Sequence, residues 1–184
     1  AADVDAIVAR LRAFSTEIRT VGFEAGALSQ YLSYGLTAAG FKVICMEARQ
    51  VSTTLSAMRN KTDRNDARGI AQILRTGWYR PVHVKSVDSH ELRVLLSSRK
   101  AILTKCVDLE NEVRGLLRVF GVRLPNRVSH GSFDALARKL LPNEAHVIRG
   151  LVPLLEARAM LYKTYLKLDN EVRGLARGDA VCKR

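Results

Sequence analysis

A six-residue string that occurs twice places the strongest constraint on how this chain folds. The string Asn111–Leu116, NEVRGL, recurs 59 residues later as Asn170–Leu175. Each copy lies near the end of a stretch in which apolar residues recur at alternating steps of three and four, which is typical of coiled-coil heptads. The two stretches cover residues 88–120 and 144–177. They therefore predict two long helices that share one heptad register, as the two arms of a coiled-coil hairpin do.

The two predicted helices each carry an arginine at the same position of the apolar seam. Arg99 and Arg158 are again 59 residues apart. One interpretation is that a polar residue at the seam fixes the register of the helices or reaches a ligand. The other is that each Arg lies at a loosely packed layer, with its aliphatic stem covered and its charge in water. The sequence leaves both interpretations open.

Before Ser86 the pattern changes from heptads to short apolar runs that alternate with amphipathic stretches. The predicted elements are helices over 3–19, 28–39 and 63–76, strands over 20–24 and 41–46, a helix-loop segment over 48–62, and one more short strand between 78 and 85. Gly77 is expected to end the third of these helices. Strands that alternate with helices in this way indicate a parallel α/β sheet.

The chain is strongly basic, with 30 Lys and Arg residues against 18 Asp and Glu residues and a formal net charge of +12. The excess is spread over both halves, so no basic tail explains it. A charge of this size favours a polyanionic partner, most often nucleic acid. An acidic protein partner and a merely solubilising charge are the alternatives.

The membrane and disulfide classes are disfavoured by the sequence. No stretch approaches the roughly 18 uncharged apolar residues of a membrane span, so no membrane partner is expected. The three cysteines, Cys45, Cys106 and Cys182, have neither the spacing of a zinc site nor that of a redox pair. We therefore predict reduced cysteines in a cytoplasmic protein.

Three carboxylates are the candidate catalytic and metal-binding residues. Asp63 and Asp66 are three residues apart, so a helix places both on one face. Glu24 ends a predicted strand, at the edge of an α/β sheet where sites gather. Together they could bind one or two divalent metal ions for phosphodiester chemistry. The alternative is that Asp63 is the N-cap and Asp66 the third helical position, where both only stabilise the start of a helix.

Basic residues flank these carboxylates along the chain. Segment 48–62 is rich in hydroxyl and basic side chains and contains no acid, which suits a phosphate backbone held beside a metal ion. A solvated loop is the alternative. The predicted nucleic-acid contacts are Arg49, Arg59, Lys61, Arg64 and Arg68.

Several of these strings resemble one protein family. Val21–Gly26, Ala39–Val43 and Lys61–Ala67 resemble the DEDD transposases of insertion-sequence family one-hundred-ten, which include the Piv-type DNA invertases. Residues 92–121, which contain the first copy of the repeat, resemble the segment after the acidic motif of that family. The resemblance covers roughly residues 15–125.

The resemblance implies a specific fold and chemistry. Family members carry a RuvC-like, RNase H-like domain in which an Asp-Glu-Asp-Asp set binds Mg²⁺ or Mn²⁺. Glu24, Asp63 and Asp66 match the last three of these acids. A coiled coil follows, and a C-terminal domain supplies a serine nucleophile for DNA strand exchange. A structured guide RNA selects the target in characterised members.

Both ends of the chain depart from the family pattern. The first acid of the set lies on an early strand in family members, whereas the 23 residues before Glu24 read as a helix here. We therefore expect a partial RuvC-like domain over 1–86 and a coiled-coil helical region over 87–184, without the serine domain.

The predicted function follows from these domains. It is that of a transposase fragment that binds DNA and a guide RNA for metal-assisted recombination, forms a homo-oligomer through the coiled coil and is inactive alone. A non-catalytic nucleic-acid-binding helical module and a coiled-coil assembly protein are the alternatives.

Overall fold

The structure, a computed structural model, describes residues 3–56 and 62–183. The chain divides into two compact units, Ala1–Ser86 and Val87–Arg184. The elements of the first unit are α1 (Val4–Arg12), β1 (Val21–Glu24), α2 (Ser29–Ala38), β2 (Val43–Met46), α3 (Ala48–Leu55) and α4 (Asp63–Thr76). Those of the second are α5 (Val87–Val119), α6 (Phe133–Lys139) and α7 (Ala145–Gly178). Both units are built mostly from helix.

The first unit is organised around a small parallel sheet. β1 and β2 pair in parallel, with Val21 opposite Val43 and Glu24 opposite Met46, so the predicted mixed α/β class is confirmed. Residues from β2, α3 and α4 form the buried core under the sheet, which contains Met46, Val51 and Ile73. The strand predicted between residues 78 and 85 is reduced to a single antiparallel bridge between Met46 and Pro81.

Helix α4 closely follows the sequence prediction, because its ends carry recognisable cap residues. Thr62 is the N-cap, and its hydroxyl accepts a hydrogen bond of 3.2 Å from the backbone N–H of Asn65. Gly77 ends the helix with φ +73°, a left-handed conformation that favours glycine. The structure corrects the capping alternative for the acids: Asp63 is the first helical residue and Asp66 the fourth.

Helix α1 is shorter than predicted. It ends at Arg12, whereas the amphipathic pattern suggested a helix as far as residue 19. Ser15 and Thr16, which follow, are weaker helix formers that readily bond to the local backbone in other conformations. The apolar pattern alone therefore overestimated its length.

The second unit is a pair of long helices held around a compact core. Residues on α5 and α7 pack antiparallel, because Arg99 pairs with Asp169 and Glu110, further along α5, pairs with Arg158. The core consists of Val113, Leu117, Leu124, Phe133, Ala137, Leu151 and Leu155. The predicted long helices are confirmed almost to the residue, while the coiled-coil geometry of the pair stays a prediction. Within the described residues, no helix is long and apolar enough to cross a membrane.

Arg158 lies in this interface with none of its surface exposed. Its Nε is 3.1 Å from Glu110 Oε1, and its two Nη atoms donate hydrogen bonds of 2.6 Å to Asp134 Oδ2 and to the carbonyl oxygen of His130. The guanidinium carbon lies 4.8 Å from the centre of the Tyr162 ring. The interpretation that this arginine keeps its charge in water is therefore wrong.

The sequence repeat also relates the two ion pairs to each other. The same 59-residue shift that relates Arg99 to Arg158 also relates Glu110 to Asp169. Each arginine thus pairs with the acid that lies on the opposite helix. Because a shift of one helix along the other would leave buried charges unpaired, the two ion pairs specify the register of α5 against α7.

The Arg99 pair makes the stability of this unit depend on pH. Arg99 Nε and Arg173 Nε each donate a hydrogen bond of 2.7 Å to the carboxylate of Asp169. The bond from Arg99, followed by that from Arg173, holds the pKa of Asp169 below its ordinary value, although burial acts in the opposite direction. A carboxylate with a lowered folded pKa contributes stability above its ordinary pKa of about 3.9, and that stability is lost as pH falls through the folded pKa.

We expect Asp169→Asn to lower the free energy of unfolding at pH 7. Below about pH 4 the free energy of unfolding of this variant should fall less steeply than that of the wild type. Urea denaturation curves collected from pH 7 down to pH 2 measure both effects. Asp108→Asn is the matched control, because Asp108 is exposed and its one ion pair among the described residues is with the neighbouring Lys105. Parallel acid profiles for the two variants would contradict the assignment.

Candidate functional site

Glu24 lies at the carboxyl end of β1. It is exposed, and in the described residues its carboxylate has no hydrogen bond or ion pair. The backbone turns immediately afterwards, where the Ser29 hydroxyl donates 2.8 Å to the carbonyl oxygen of Gly26 and accepts 2.6 Å from its N–H. This bonded turn fixes the end of the strand and leaves the Glu24 side chain free.

Asp63 and Asp66 lie in the first turn of α4. Asp63 is exposed and Asp66 is half-buried. Because Thr62 provides the cap, neither aspartate carboxylate is used as the capping acceptor, and neither has a side-chain partner among residues 3–56 and 62–183. The first turn of a helix is a common position for acidic side chains. The two carboxylates are therefore available to an external cation.

The three predicted acids come from elements that pack together but do not form one closed group. Helix α4 lies on β1 near Gly22, where an added Cβ would be 3.0 Å from Leu74 Cδ2. In the described part of the chain, no three acidic, His or Cys side chains lie close enough to hold a metal ion. The donor chemistry fits Mg²⁺, which is commonly held by one or two carboxylates together with waters and phosphate oxygens. Asp63 and Asp66, which are three residues apart at the start of α4, could provide such an open pair, and the described residues do not gather Glu24 with them into one three-donor group.

The basic candidates are only partly described. Arg49 is exposed on α3, and Arg64 and Arg68 are exposed one turn apart on α4. None of these three forms an ion pair with another described residue. Arg59 and Lys61 lie outside the described residues. The arginines of α4 alternate with its aspartates, so both charges are present in the first two turns of one helix.

Sequence reasoning missed a cavity of about 530 Å³ beside Arg49. It is lined by Glu47, Arg49, Gln50, Thr53, Thr54, Trp78 and Arg80. The single tryptophan of the chain is 66 % exposed here. The sequence held one signal for it: Trp78 directly follows Gly77, which ends a helix, and lies two residues before Arg80.

Comparison with known proteins identifies the family of this chain. The family model DEDD transposase of insertion sequence IS110, described as a transposase, matches residues 1–121. The chain belongs to this family. The resemblance inferred from the sequence motifs is thereby confirmed, and the match includes the elements that carry Glu24, Asp63 and Asp66.

A curated relative of the family is also similar to this chain. The transposase for insertion sequence element IS1111A from Coxiella burnetii (strain RSA 493 / Nine Mile phase I) is 30 % identical over 133 residues. The matched region is 68 % of this chain and 35 % of the relative. The chain thus spans about a third of the length of this transposase.

Proposed function

We propose that this chain contributes a metal-binding and nucleic-acid-binding part of an insertion-sequence transposase. The observation that carries the proposal is that Glu24, Asp63 and Asp66, inside the region matched by the transposase family, have carboxylates without partners among the described residues. The substrate of the proposed activity is DNA, and a structured guide RNA is the proposed second partner.

The proposed cofactor is Mg²⁺ or Mn²⁺. Asp63 and Asp66 would hold the ion from the first turn of α4, and Glu24 would act from the end of β1. When bound, such an ion neutralises phosphate charge and activates an oxygen nucleophile. Because two carboxylates leave most of the coordination to waters and phosphates, we infer that metal binding and nucleic-acid binding strengthen each other.

The two units have separate proposed roles. We assign a RuvC-like, RNase H-like fold to Ala1–Ser86, supported by its parallel strands and its family match. We assign a coiled coil to Val87–Arg184, supported by the antiparallel packing of α5 and α7. Apolar side chains left exposed on these helices support a homo-oligomer formed through this unit; they include Leu92, Val94, Leu96, Met160 and Leu175.

Phosphate contacts by the α4 arginines are tested by the salt dependence of binding. We expect Arg64→Gln with Arg68→Gln to lower DNA affinity and to reduce the slope of log affinity against log salt by about two, because each phosphate contact releases about one counterion. Fluorescence anisotropy of a labelled duplex between about 50 and 200 mM salt measures this slope.

The control for this experiment is Lys163→Gln with Lys167→Gln. These lysines are exposed on α7, so the variant has the same change in net charge at a different surface. Equal slopes for the two double variants would show that only net charge matters and would contradict a phosphate site on α4.

A non-catalytic nucleic-acid-binding module is the second candidate function, and it predicts the same salt dependence without any effect of metal.

A further inference from the structure

The exposed tryptophan of the first unit is held on a well-defined backbone. Gln50 of α3 bonds to the segment on both sides of Tyr79: its Oε1 accepts 2.6 Å from the N–H of Arg80, and its Nε2 donates 3.3 Å to the carbonyl oxygen of Trp78. The N–H of Glu47 donates a further bond of 3.0 Å to the carbonyl oxygen of Arg80. Residues 78–80 are therefore fixed against the start of α3.

This clamp explains why an aromatic ring of that size stays in solvent. Tyr79 packs inward against the core that contains Met46 and Val51. The side chains on either side of it, Trp78 and Arg80, are instead largely exposed. Exposure of Trp78 follows from a bonded backbone rather than from a loose loop.

The charge around the ring is positive. Arg49 has no ion pair in the described residues, and the ion pair of Arg80 with Glu47 is long, at 3.8 Å, with the Arg80 side chain 81 % exposed. Exposed pairs of this kind contribute little and leave the guanidinium available. The cavity thus combines a free aromatic face with two arginines that can bind anions.

We propose that the Trp78 cavity binds an unpaired base of a single-stranded nucleic acid, with the base stacked on Trp78 and the flanking phosphates held by Arg49 and Arg80. Single-strand binders combine a positively charged groove with aromatic side chains on which bases stack, and such stacking tolerates any sequence because every base has a stacking face. The faces of paired bases inside a duplex are covered, so a duplex cannot stack there without unpairing. A protein partner would need a larger apolar surface than one ring provides.

The proposal rests on nucleic-acid binding as the function and adds which form of nucleic acid this site takes. Single-stranded DNA and single-stranded RNA share the stacking and phosphate chemistry. The 2′-hydroxyl of RNA is the group that a protein can use to tell them apart.

The single tryptophan makes the test direct, because all indole fluorescence of the chain comes from Trp78. The full chain is titrated with DNA and RNA single strands of about ten nucleotides and with the DNA duplex of the same sequence. We expect saturable quenching by the single strands and none by the duplex, whose binding is followed separately by anisotropy. The strand that binds more tightly, RNA or DNA, would be the preferred ligand of this site, and either result supports the site.

Variants separate stacking from general effects on the fold. Trp78→Ala is expected to weaken single-strand binding about tenfold, whereas Trp78→Phe, which keeps a ring, retains most of the affinity. Tyr31→Ala is the matched control, because Tyr31 is an aromatic residue of α2 that is 52 % exposed and does not line the cavity. Anisotropy with labelled strands measures these affinities, and far-UV circular dichroism checks the fold.

The outcomes distinguish this inference from the proposed function. Salt-dependent duplex binding without any single-strand quenching of Trp78 would overturn the stacking site and leave the proposed function intact. Equal single-strand affinities for Trp78→Ala and Tyr31→Ala would also overturn it. If no nucleic acid binds the wild-type chain, both proposals are wrong.

Discussion

Replacement of Arg158 by Ala is expected to lower the free energy of unfolding of the second unit by about 3–5 kcal/mol. The substitution removes the cation that faces Glu110, which is 7 % exposed, and Asp134. The buried Glu110 and the half-buried Asp134 would then lose their arginine partner, and the carbonyl oxygen of His130 would lose its donor. The loss of packing against the Tyr162 ring adds to this cost.

Urea denaturation followed by far-UV circular dichroism measures this change. Lys163→Ala is the control on the same helix, and its exposed position predicts a change within about 0.5 kcal/mol. Arg158→Lys keeps the charge but loses the planar fork, so it should fall between the two and remain foldable if Arg158→Ala does not. If all three variants unfold at the same urea concentration as the wild type, the buried network does not stabilise the unit.

The second large effect concerns metal binding by the aspartates of α4. We expect Asp63→Asn to weaken Mn²⁺ binding about thirtyfold, since a divalent ion and one carboxylate about 4 Å apart attract by about 2 kcal/mol in water. The double variant with Asp66→Asn should show no measurable binding at this site. Isothermal titration calorimetry with Mn²⁺, in the presence of a DNA duplex, measures the affinities.

The chain supplies a closely matched control for the metal experiment. Asp88 and Glu91 are also three residues apart and exposed near the start of a helix, α5, with Asp88 in its first turn. If any two carboxylates at a helix start bound Mn²⁺, Asp88→Asn with Glu91→Gln would lose as much affinity as the α4 variant. Equal losses, or unchanged binding in the α4 variant, would remove Asp63 and Asp66 from the proposed metal site.

Local sequence signals predicted the elements well where the chain marks both ends. Helix α4 begins after Thr62 and ends at Gly77, and the predicted range of 63–76 is the observed one. The end of α1 carries no such signal, and the strand predicted after Trp78 formed only a bridge. In both places the pattern of apolar residues predicted a longer helix or strand than the chain forms.

Contacts between residues that are far apart along the chain were harder to predict from the sequence. The repeat identified Arg99 and Arg158 as a matched pair, yet their partners lie 70 and 48 residues away along the chain. Which acid meets which arginine depends on the antiparallel packing of α5 on α7, which the heptad pattern alone leaves open. Likewise, the tie between Gln50 and the backbone around Trp78 spans about 30 residues and has no local signature.

The decisive experiment for the proposed metal site at the start of α4 is the dependence of DNA affinity on Mg²⁺. Anisotropy of a labelled duplex is measured with and without Mg²⁺ at constant ionic strength, for the wild type and for Asp63→Asn with Asp66→Asn. We expect Mg²⁺ to tighten DNA binding by the wild type only, although the variant, having lost two negative charges, binds at least as tightly without metal. An equal response to Mg²⁺ in both proteins would contradict a metal site at the start of α4 and would favour a nucleic-acid-binding module without metal chemistry.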